Sequence, residues 1–302
     1  MSIKVNITEV GLRDGLQNIE HLIKTEEKLF IVNRLIDAGV NRIQVASFVR
    51  PEIVPQMADA ENLVQQLPNI NGVEYSGFLL NLKGLERAVE SGLKKVETSI
   101  STSETYSWKN TRTNLRQATD NLKNIIHIGK ENRMTIRAGL QCVWGCVYEG
   151  FPSQKYILTK VSDIVEMGVN TISLSDSTGM ASPDRISSQL EMILNRFPDL
   201  SISLHLHNTG GRGLENLYSG LKLGVNQVDC SFGGIGGSPF IKGSTGNIAT
   251  EETVYMLDNR GCYTGIDIEK IAKVSRWLEE KTHNSYFGGK LFREIGKIKN
   301  IS

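Results

Sequence analysis

Two histidines, His205 and His207, lie two residues apart near the end of the apolar run 200–207. The run has the alternating pattern of a β-strand, in which side chains two positions apart point to the same side. Two neutral imidazoles that converge on one point make half of a metal site. The alternative is a pair of ordinary core or surface histidines. Metal binding is favoured because the chain has only five histidines, and these two precede the polar run 208–211.

The segments that must position these histidines alternate between short β-rich runs and longer amphipathic helical runs. This alternation predicts an α/β fold with parallel strands and right-handed crossovers. Eight such units in about 250 residues match the size of a (β/α)8 TIM barrel. The alternative is a doubly wound open sheet, which would place a G-x-G-x-x-G motif after the first strand. The sequence there is Gly11-Leu12-Arg13-Asp14-Gly15, which favours the barrel.

The predicted strands span residues 4–10, 42–47, 73–79, 95–100, 135–143, 171–175, 201–207 and 227–231. The predicted helices between them span residues 26–38, 58–67, 82–90, 115–131, 156–166, 183–195 and 213–223. We predict a single domain over 1–302, with the barrel over about 1–264 and a C-terminal extension over about 265–302 that contains a helix at 268–281. Trp277 and Leu278 in the extension are candidate contacts in a homodimer or a higher homo-oligomer.

Composition narrows the class of protein. The chain is 39% hydrophobic and 22% charged, with a net charge of +1, so no nucleic-acid partner is expected. No apolar run reaches the ~18 residues that a membrane span needs. The first residues show neither a signal peptide nor an arginine-rich transit pattern, so we expect a cytoplasmic location and no membrane partner. Cys142 and Cys146 could form half of a zinc site, but burial as small hydrophobic residues is favoured.

Polar groups at several strand ends could complete the histidine site. In a TIM barrel, functional groups collect at the carboxyl ends of the strands. Asp14 follows the first predicted strand, the two histidines end the seventh, and Asn247 follows the eighth. A carboxylate, two imidazoles and an amide oxygen leave positions open on an octahedral ion, which suits Mg²⁺ or Mn²⁺ better than a closed zinc site. The alternative for Asp14 is a helix cap or an ion pair with Arg13.

A glycine-rich loop follows the eighth predicted strand. Residues 233–246 contain six glycines among fourteen positions. This composition predicts a mobile lid over a substrate. The alternative is an irregular surface loop.

Motifs spread over nearly the whole chain resemble those of the hydroxymethylglutaryl-CoA lyases, a family within the larger group of metal-dependent barrel lyases and Claisen-type synthases. They are 9–18 (EVGLRDGLQN), 47–49 (SFV), 54–59 (VPQMAD), 103–104 (SE), 142–150 (CVWGCVYEG), 204–207 (LHLH) and 243–251 (GSTGNIATE). The resemblance implies retro-Claisen cleavage of 3-hydroxy-3-methylglutaryl-CoA (HMG-CoA) to acetyl-CoA and acetoacetate. It therefore implies an acyl-CoA as the substrate.

The resemblance also implies roles for individual residues. A divalent cation would be held by Asp14, His205, His207 and Asn247. Arg13 would stabilise the developing oxyanion, and Asp176 would act as general base. The predicted catalytic residues are Arg13, Asp176, His205 and Ser238. The predicted substrate-binding residues are Gln17, Gln44, Ser47, Arg137, Gly236, Gly237 and Glu251.

Several positions depart from the family pattern. The family has a cysteine in its lid, a glutamate on the second strand and an aspartate after the second histidine. This chain has Ser238, Gln44 and Asn208 at those positions. Serine is a far weaker acid than a thiol of pKa ~8.5, so the proton donor of the family cannot simply be carried over. Slow cleavage of HMG-CoA, a related 3-hydroxyacyl-CoA substrate, an aldolase or synthase activity, and a non-catalytic CoA or metabolite binder are the alternatives.

Overall fold

Eight parallel strands close into a barrel. The computed structural model describes residues 3–237, 245–283 and 286–296. Each barrel strand pairs with the next along the chain, and the eighth pairs with the first. The strands are β1 (Asn6–Glu9), β2 (Arg42–Ser47), β3 (Glu74–Phe78), β4 (Lys95–Ser101), β5 (Thr135–Gln141), β6 (Thr171–Asp176), β7 (Ser201–Leu206) and β8 (Gln227–Cys230). The predicted TIM barrel is confirmed, and each strand lies within a few residues of its expected limits.

Helices surround the barrel. They are α1 (Thr25–Asp37), α2 (Ala60–Gln65), α3 (Leu82–Glu90), α4 (Glu104–Thr111), α5 (Leu115–Glu131), α6 (Gln154–Glu166), α7 (Pro183–Arg196), α8 (Gly213–Lys222), α9 (Thr250–Asp258) and α10 (Ile268–Thr282). The limits of α5 were predictable because an apolar stripe with Leu122, Ile125 and Ile126 is buried and the Asn114 side chain caps the first turn.

Two helices and one strand pair were not predicted. The short helix α4 begins at the Ser103 cap, and its polar composition shows little apolar periodicity. Helix α9 follows directly on the glycine-rich loop, within a segment that the sequence analysis treated only as a motif. Outside the barrel, Ile3–Lys4 pairs in parallel with Cys262–Tyr263. Strands of two residues are too short to show an alternating pattern.

Helix α10, assigned to an extension, packs on the barrel's outer helices. The rings of Phe30 in α1 and Trp277 in α10 lie 5.0 Å apart between centroids, and Lys281 pairs with Glu27. Leu278 is completely buried. Leu278 is thus covered within one chain, whereas Trp277 stays partly exposed beside Phe30, so a subunit contact at Trp277 stays a prediction. The division of the chain near residue 264 and the oligomeric state stay predictions.

Candidate active site

A short π-helical turn, Gly11–Gly15, follows β1 and carries Arg13 and Asp14. The amides of Arg13, Asp14 and Gly15 all donate to the Val10 carbonyl. Single π-helical turns are rare and are frequent at functional sites. A Cβ on Gly11 would lie 2.4 Å from the Phe232 ring, so the turn needs glycine at this position.

The buried carboxyl of Glu9 fastens this turn to the neighbouring loop. It accepts hydrogen bonds from the Gly11 amide at 2.8 Å and the Phe232 amide at 3.0 Å, and its second oxygen lies 2.6 Å from the Thr250 hydroxyl. Burial raises the pKa of Glu9 to about 8, although these hydrogen bonds favour the charged form. Glu9 is therefore a positioning residue for Arg13 and Asp14, and it is largely protonated at neutral pH.

Glu9→Gln is expected to remove a pH-dependent loss of stability. The folded protein holds the Glu9 proton up to about pH 8, whereas the ordinary pKa is 4.5, so the free energy of unfolding falls as pH rises through that window. The glutamine keeps an acceptor for both amides and offers a donor to Thr250. Urea unfolding at pH 5 and pH 8 should show a smaller decrease for the variant than for the wild type. Equal decreases in the two proteins would contradict this assignment.

Asp14, His205 and His207 form a cluster in which one potential ligand atom from each residue lies within 4.8 Å of the others. Asn247 joins them, since its amide nitrogen donates to Asp14 at 2.7 Å. Within the described parts of the chain, both ring nitrogens of His207 and the amide oxygen of Asn247 are buried without a hydrogen-bond partner. Unpaired buried acceptors are costly, and a cation bound to one His207 nitrogen and to the Asn247 oxygen would satisfy both of those atoms. The cluster therefore fits a divalent metal ion.

The protonation states suit metal binding. Burial alone would raise the pKa of Asp14, but the nearby Arg13 guanidinium and the two histidines outweigh it and lower the pKa to about 2. Burial lowers the pKa of His207 to about 4. At neutral pH, Asp14 is thus a carboxylate and His207 is a neutral imidazole, which are the forms that bind a metal.

A charged network crosses the barrel interior behind the candidate metal ligands. His205 Nδ1 lies 3.2 Å from Asp229, which leaves Nε2 on the side of Asp14, 4.0 Å away. Asp229 also pairs with Arg137 from across the barrel, and Arg137 pairs in turn with Glu97 on the strand next to its own. Burial opposes ionisation of Asp229, yet Arg137 holds the pKa of that carboxyl well below its ordinary value. A carboxylate behind a ligating histidine fixes the ring orientation and increases its basicity.

Arg137 and Arg13 differ in what they can offer a substrate. The guanidinium of Arg137 makes five hydrogen bonds, to Glu97, Ser203 and Asp229, which account for its five N–H donors. Arg137 therefore positions Glu97 and Asp229, and its contact with substrate stays a prediction.

The guanidinium of Arg13 donates fewer hydrogen bonds than that of Arg137. It donates to Gln44 and Asp14 and lies 4.6 Å from the centroid of the Phe78 ring. No described residue accepts a hydrogen bond from its Nη2, so this nitrogen can meet an oxyanion. Because Gln44 is neutral, Asp14 is the one carboxylate paired with Arg13 in the described structure.

A cavity of about 730 Å³ opens at the mouth of the barrel in front of the metal cluster. Of the predicted site residues, those along its wall are Arg13, Asp14, Gln17, Ser47, Arg137, His205, His207 and Gly237. The Ser47 hydroxyl is buried without a partner in the described part of the chain, which suits a contact with substrate. Gln44, Asn247 and Gly236 lie immediately behind this wall, against Arg13 and Asp14.

Two further predicted residues lie away from the wall. Asp176 accepts hydrogen bonds from the Met180 amide at 2.9 Å and the Ala181 amide at 3.2 Å, and burial raises its pKa to about 6. Glu251 is fully buried and accepts hydrogen bonds from the Gly233 amide and the Ser275 hydroxyl. Glu251 therefore fastens the base of the glycine-rich loop to α10, and its contacts give no opening to a substrate. Ser238 lies outside the described residues, as does half of the predicted lid, residues 238–244.

Comparison with known proteins identifies the family. The HMGL-like family model matches residues 4–278. The chain belongs to the HMGL-like family. The hydroxymethylglutaryl-CoA lyase YngG of Bacillus subtilis is 37% identical over 278 residues, covering 92% of this chain and 93% of that protein. The mitochondrial hydroxymethylglutaryl-CoA lyase of Macaca fascicularis is 34% identical over 275 residues, covering 91% of this chain and 85% of that protein.

Solved structures of HMGL-like relatives share the whole fold. The HMG-CoA lyase of Bacillus subtilis superposes with a TM-score of 0.92 at 35% identity, covering 97% of this chain and 99% of that chain. An HMG-CoA lyase from Acinetobacter baumannii, in complex with coenzyme A and 3-methylmalate, also has a TM-score of 0.92, at 30% identity, covering 99% of this chain and 97% of that chain. The family resemblance seen in the sequence is confirmed.

Proposed function

We propose that this HMGL-like protein is a divalent-metal-dependent carbon–carbon lyase that cleaves HMG-CoA to acetyl-CoA and acetoacetate. The observation that carries the proposal is the cluster of Asp14, His205 and His207 at the wall of the barrel-mouth cavity, with the His207 nitrogens lacking partners among the described residues. Family membership and the HMG-CoA lyases among its relatives support the same reaction.

The reaction has three chemical steps that the protein must assist. The tertiary hydroxyl loses its proton, the bond between C2 and C3 breaks to leave acetoacetate, and the enolate of acetyl-CoA gains a proton at carbon. A bound cation would lower the cost of the alkoxide as a Lewis acid. The guanidinium of Arg13 stabilises negative charge on the thioester oxygen through its free Nη2. The contact with Asp229 fixes the orientation of the His205 imidazole, with Nε2 directed away from Asp229.

We propose Asp176 as the general base. A pKa of about 6 suits a group that accepts a proton near neutral pH. The two backbone amides that donate to its carboxyl hold it at the end of β6. Because the carboxyl lies behind the cavity wall, it would take the proton by way of a group or water at the wall.

We propose Mg²⁺ or Mn²⁺ as the ion, because a carboxylate and imidazoles at one edge of an open cavity leave room for substrate oxygens. The coenzyme A bound in the Acinetobacter baumannii relative supports an acyl-CoA substrate here.

We propose a cytoplasmic location because the four cysteines are free, which is usual in reducing compartments. Among the described residues, no helix combines the length and the apolar character needed to cross a membrane.

The test is incubation of the purified protein with Mn²⁺ and HMG-CoA, with acetyl-CoA and acetoacetate measured separately. We expect both products in equal amounts, and we expect none when EDTA replaces the metal. A known HMG-CoA lyase assayed in parallel is the positive control. No product from this protein where the control is active would reject HMG-CoA as the substrate.

A second candidate is cleavage of a related 3-hydroxyacyl-CoA. The observation that favours it is the neutral Gln44, whose amide nitrogen is buried without a partner in the described structure and whose oxygen accepts from Arg13. A neutral group here changes the charge balance around Arg13 relative to the glutamate of the family. A panel of 3-hydroxyacyl-CoA substrates distinguishes the two candidates, and a clear preference for HMG-CoA would exclude the second.

Ser238→Cys is expected to accelerate cleavage of HMG-CoA. If protonation of the enolate limits the rate, a thiol at this position should raise kcat by up to ~10²-fold, the usual range of general-acid assistance. The measurement is steady-state kinetics of wild type and variant, with Ser219→Ala, on the outer helix α8, as an unrelated serine control. An unchanged rate would show that the proton comes from another group.

A further inference from the structure

Two free thiols lie side by side after β5, at the end of the barrel that carries the cavity. Cys142 directly follows the strand, and Cys146 ends the turn that comes next. The Gly145 amide donates to the Cys142 carbonyl at 3.3 Å, which folds the chain back on itself. Both cysteines belong to one small buried cluster with Tyr106, and their thiols share a hydrogen bond. Two cysteines that are already neighbours can close a disulfide with little movement of the backbone.

Cys146 is the more nucleophilic thiol of the pair. Its sulfur lies 3.1 Å from the hydroxyl oxygen of Ser103, and the backbone amides of Tyr148 and Glu149 donate to it. The hydrogen bond from Cys142, together with these donors, outweighs burial and lowers the pKa of Cys146 to about 6. The same hydrogen bond and burial raise the pKa of Cys142. At neutral pH the pair therefore consists of one thiolate and one thiol, and the thiolate is the form that attacks an oxidant.

A small oxidant can reach Cys146 from the protein surface. Residues 147–149 form an exposed turn, in which Val147 is 50% and Tyr148 37% exposed. Cys146 lies directly before this turn and is 2% exposed, whereas Cys142 is completely buried. Exposed turns open locally at a low cost in free energy. We therefore expect hydrogen peroxide to react first with Cys146 and the buried thiol of Cys142 to react second, from within the protein.

A zinc site at this pair is not supported by the part of the chain that the structure describes. There, the one group of three or more potential metal ligands is Asp14, His205 and His207. Two sulfur atoms are half of the ligands that a structural zinc site needs. Redox chemistry needs two adjacent thiols and no further ligand, so it fits the pair better.

The turn between the two cysteines supports the segment that carries the proposed general base. The Cys142 amide donates to the Ser177 hydroxyl oxygen at 3.2 Å, and the Thr178 hydroxyl donates to the Gly145 carbonyl at 3.0 Å. Ser177 and Thr178 follow Asp176 directly along the chain. A change in the turn would therefore be transmitted to Asp176 through these two hydrogen bonds. A displacement of about 1 Å at a reacting group can cost ~10²-fold in rate.

We propose that Cys142 and Cys146 form a reversible disulfide when the protein meets a hydroperoxide, and that this disulfide slows turnover by displacing the segment of Asp176. The effect on turnover rests on the proposed lyase function, whereas formation of the disulfide does not. Transient disulfides of this kind occur in otherwise reducing compartments, where they act as redox sensors.

The oxidation proceeds in two steps. The Cys146 thiolate attacks one oxygen of the peroxide, the O–O bond breaks, and a sulfenic acid and hydroxide form. The hydroxide takes the proton of the Cys142 thiol and becomes water. The Cys142 thiolate then attacks the Cys146 sulfur, the S–S bond forms, and the departing hydroxide takes a proton from solvent. The two sulfur atoms lose two electrons in total, and the peroxide is reduced to two molecules of water.

The first test maps the disulfide. The purified, metal-free protein is treated with hydrogen peroxide, the excess is removed with catalase, and the remaining thiols are alkylated before tryptic digestion. The peptide 138–155 contains both cysteines. We expect this peptide to escape alkylation and to lack two hydrogen atoms by mass spectrometry, and we expect dithiothreitol to restore both thiols. Alkylation of both cysteines after peroxide treatment, or irreversible oxidation of Cys146 beside a free Cys142, would overturn the proposal.

The second test measures turnover of HMG-CoA after Mn²⁺ is added to the oxidised and the reduced protein. We expect the oxidised wild type to be about 10-fold slower or more, with recovery in dithiothreitol. Cys146→Ser, compared with its own untreated sample, should keep its rate after peroxide. The matched control is Cys262→Ser, because Cys262 is partly exposed and lies in the outer strand pair; it should keep the sensitivity of the wild type.

Thermal unfolding checks that each variant is folded, and Cys146→Ala replaces Cys146→Ser if the serine variant is not. An equal loss of rate in the folded Cys146 variant, or an unchanged rate in wild type that contains the disulfide, would overturn the effect on turnover. If the reduced protein does not cleave HMG-CoA, the proposed function fails, and the peptide map still decides whether the disulfide forms. If it cleaves HMG-CoA and peroxide leaves both thiols free, the function stands and this inference is rejected.

Discussion

Asp14→Asn is expected to lower kcat/KM by at least about 10³-fold, because the substitution removes the single carboxylate of the proposed metal site. Asparagine has nearly the same shape, and its oxygen can still accept the hydrogen bond from Asn247. Loss of the charge, rather than a change in packing, is then the cause of the effect. The affinity for Mn²⁺, measured by electron paramagnetic resonance, should fall together with the activity.

The matched control for this prediction is Asp37→Asn. Asp37 is an exposed carboxylate at the end of α1, and it forms a weak pair with Arg34. Its replacement should leave both Mn²⁺ affinity and turnover unchanged. Activity of Asp14→Asn within tenfold of the wild type would show that this carboxylate does not belong to the catalytic site.

Arg13→Met is expected to lower kcat by about 10²- to 10³-fold, the range found when a donor to a developing oxyanion is removed. Methionine keeps the apolar stem beside Phe78 but has no N–H group. Arg13 also lowers the pKa of Asp14, so the pKa of that carboxyl should rise in the variant. At pH 8 the carboxyl stays ionised, and Mn²⁺ affinity should then be close to that of the wild type.

The contrast between kcat and metal affinity separates Arg13 from the ligands. Arg42→Met is the control, since Arg42 begins β2 and bonds to Gln227, at the end of the barrel opposite the cavity. The values of kcat and KM and the Mn²⁺ affinity are measured at pH 8 for the wild type, Arg13→Met and Arg42→Met, and they are compared with those of Asp14→Asn. A variant Arg13→Met that loses metal binding as completely as Asp14→Asn would contradict a role at the oxyanion.

The barrel and its metal cluster were predictable because they depend on local patterns and on one rule of the fold. His205 and His207 share a strand face, and Asp14 follows the first strand, so closure of the barrel brings them together. The limits of α3 and α5 agree with the prediction because caps and apolar stripes mark them. The prediction of a lid stays open, since residues 238–244 lie outside the described structure.

The charged network behind the candidate metal ligands was not predictable from the sequence. Asp229 and Glu97 are single acidic residues within strands, and neither belongs to a motif. Their partner Arg137 is 92 and 40 residues away along the chain. The sequence feature that could have revealed the network is an acidic residue inside an otherwise buried strand. Such a residue predicts an ion pair, because a buried charge needs a partner. The same reasoning would have found Glu9 and would have assigned Arg137 to an ion pair.

The positioning role of Glu251 was also not visible. Its family motif predicted a contact with substrate, whereas the structure buries it between the Gly233 amide and Ser275. Helix α9 begins immediately before it, at Thr250, and directs the side chain inward. A motif identifies a family member, but the contacts of the folded chain decide whether a residue meets the substrate or supports the residues that do.

The most direct test of the account is a crystal of this protein soaked with Mn²⁺ and examined by anomalous diffraction. We expect one strong anomalous peak within coordination distance of Asp14, His205 and His207, on the side of the cavity that Arg13 lines. The same soak of Asp14→Asn should show a much weaker peak. No peak between these three residues at saturating Mn²⁺, in a protein that still cleaves its substrate, would contradict the proposed metal centre.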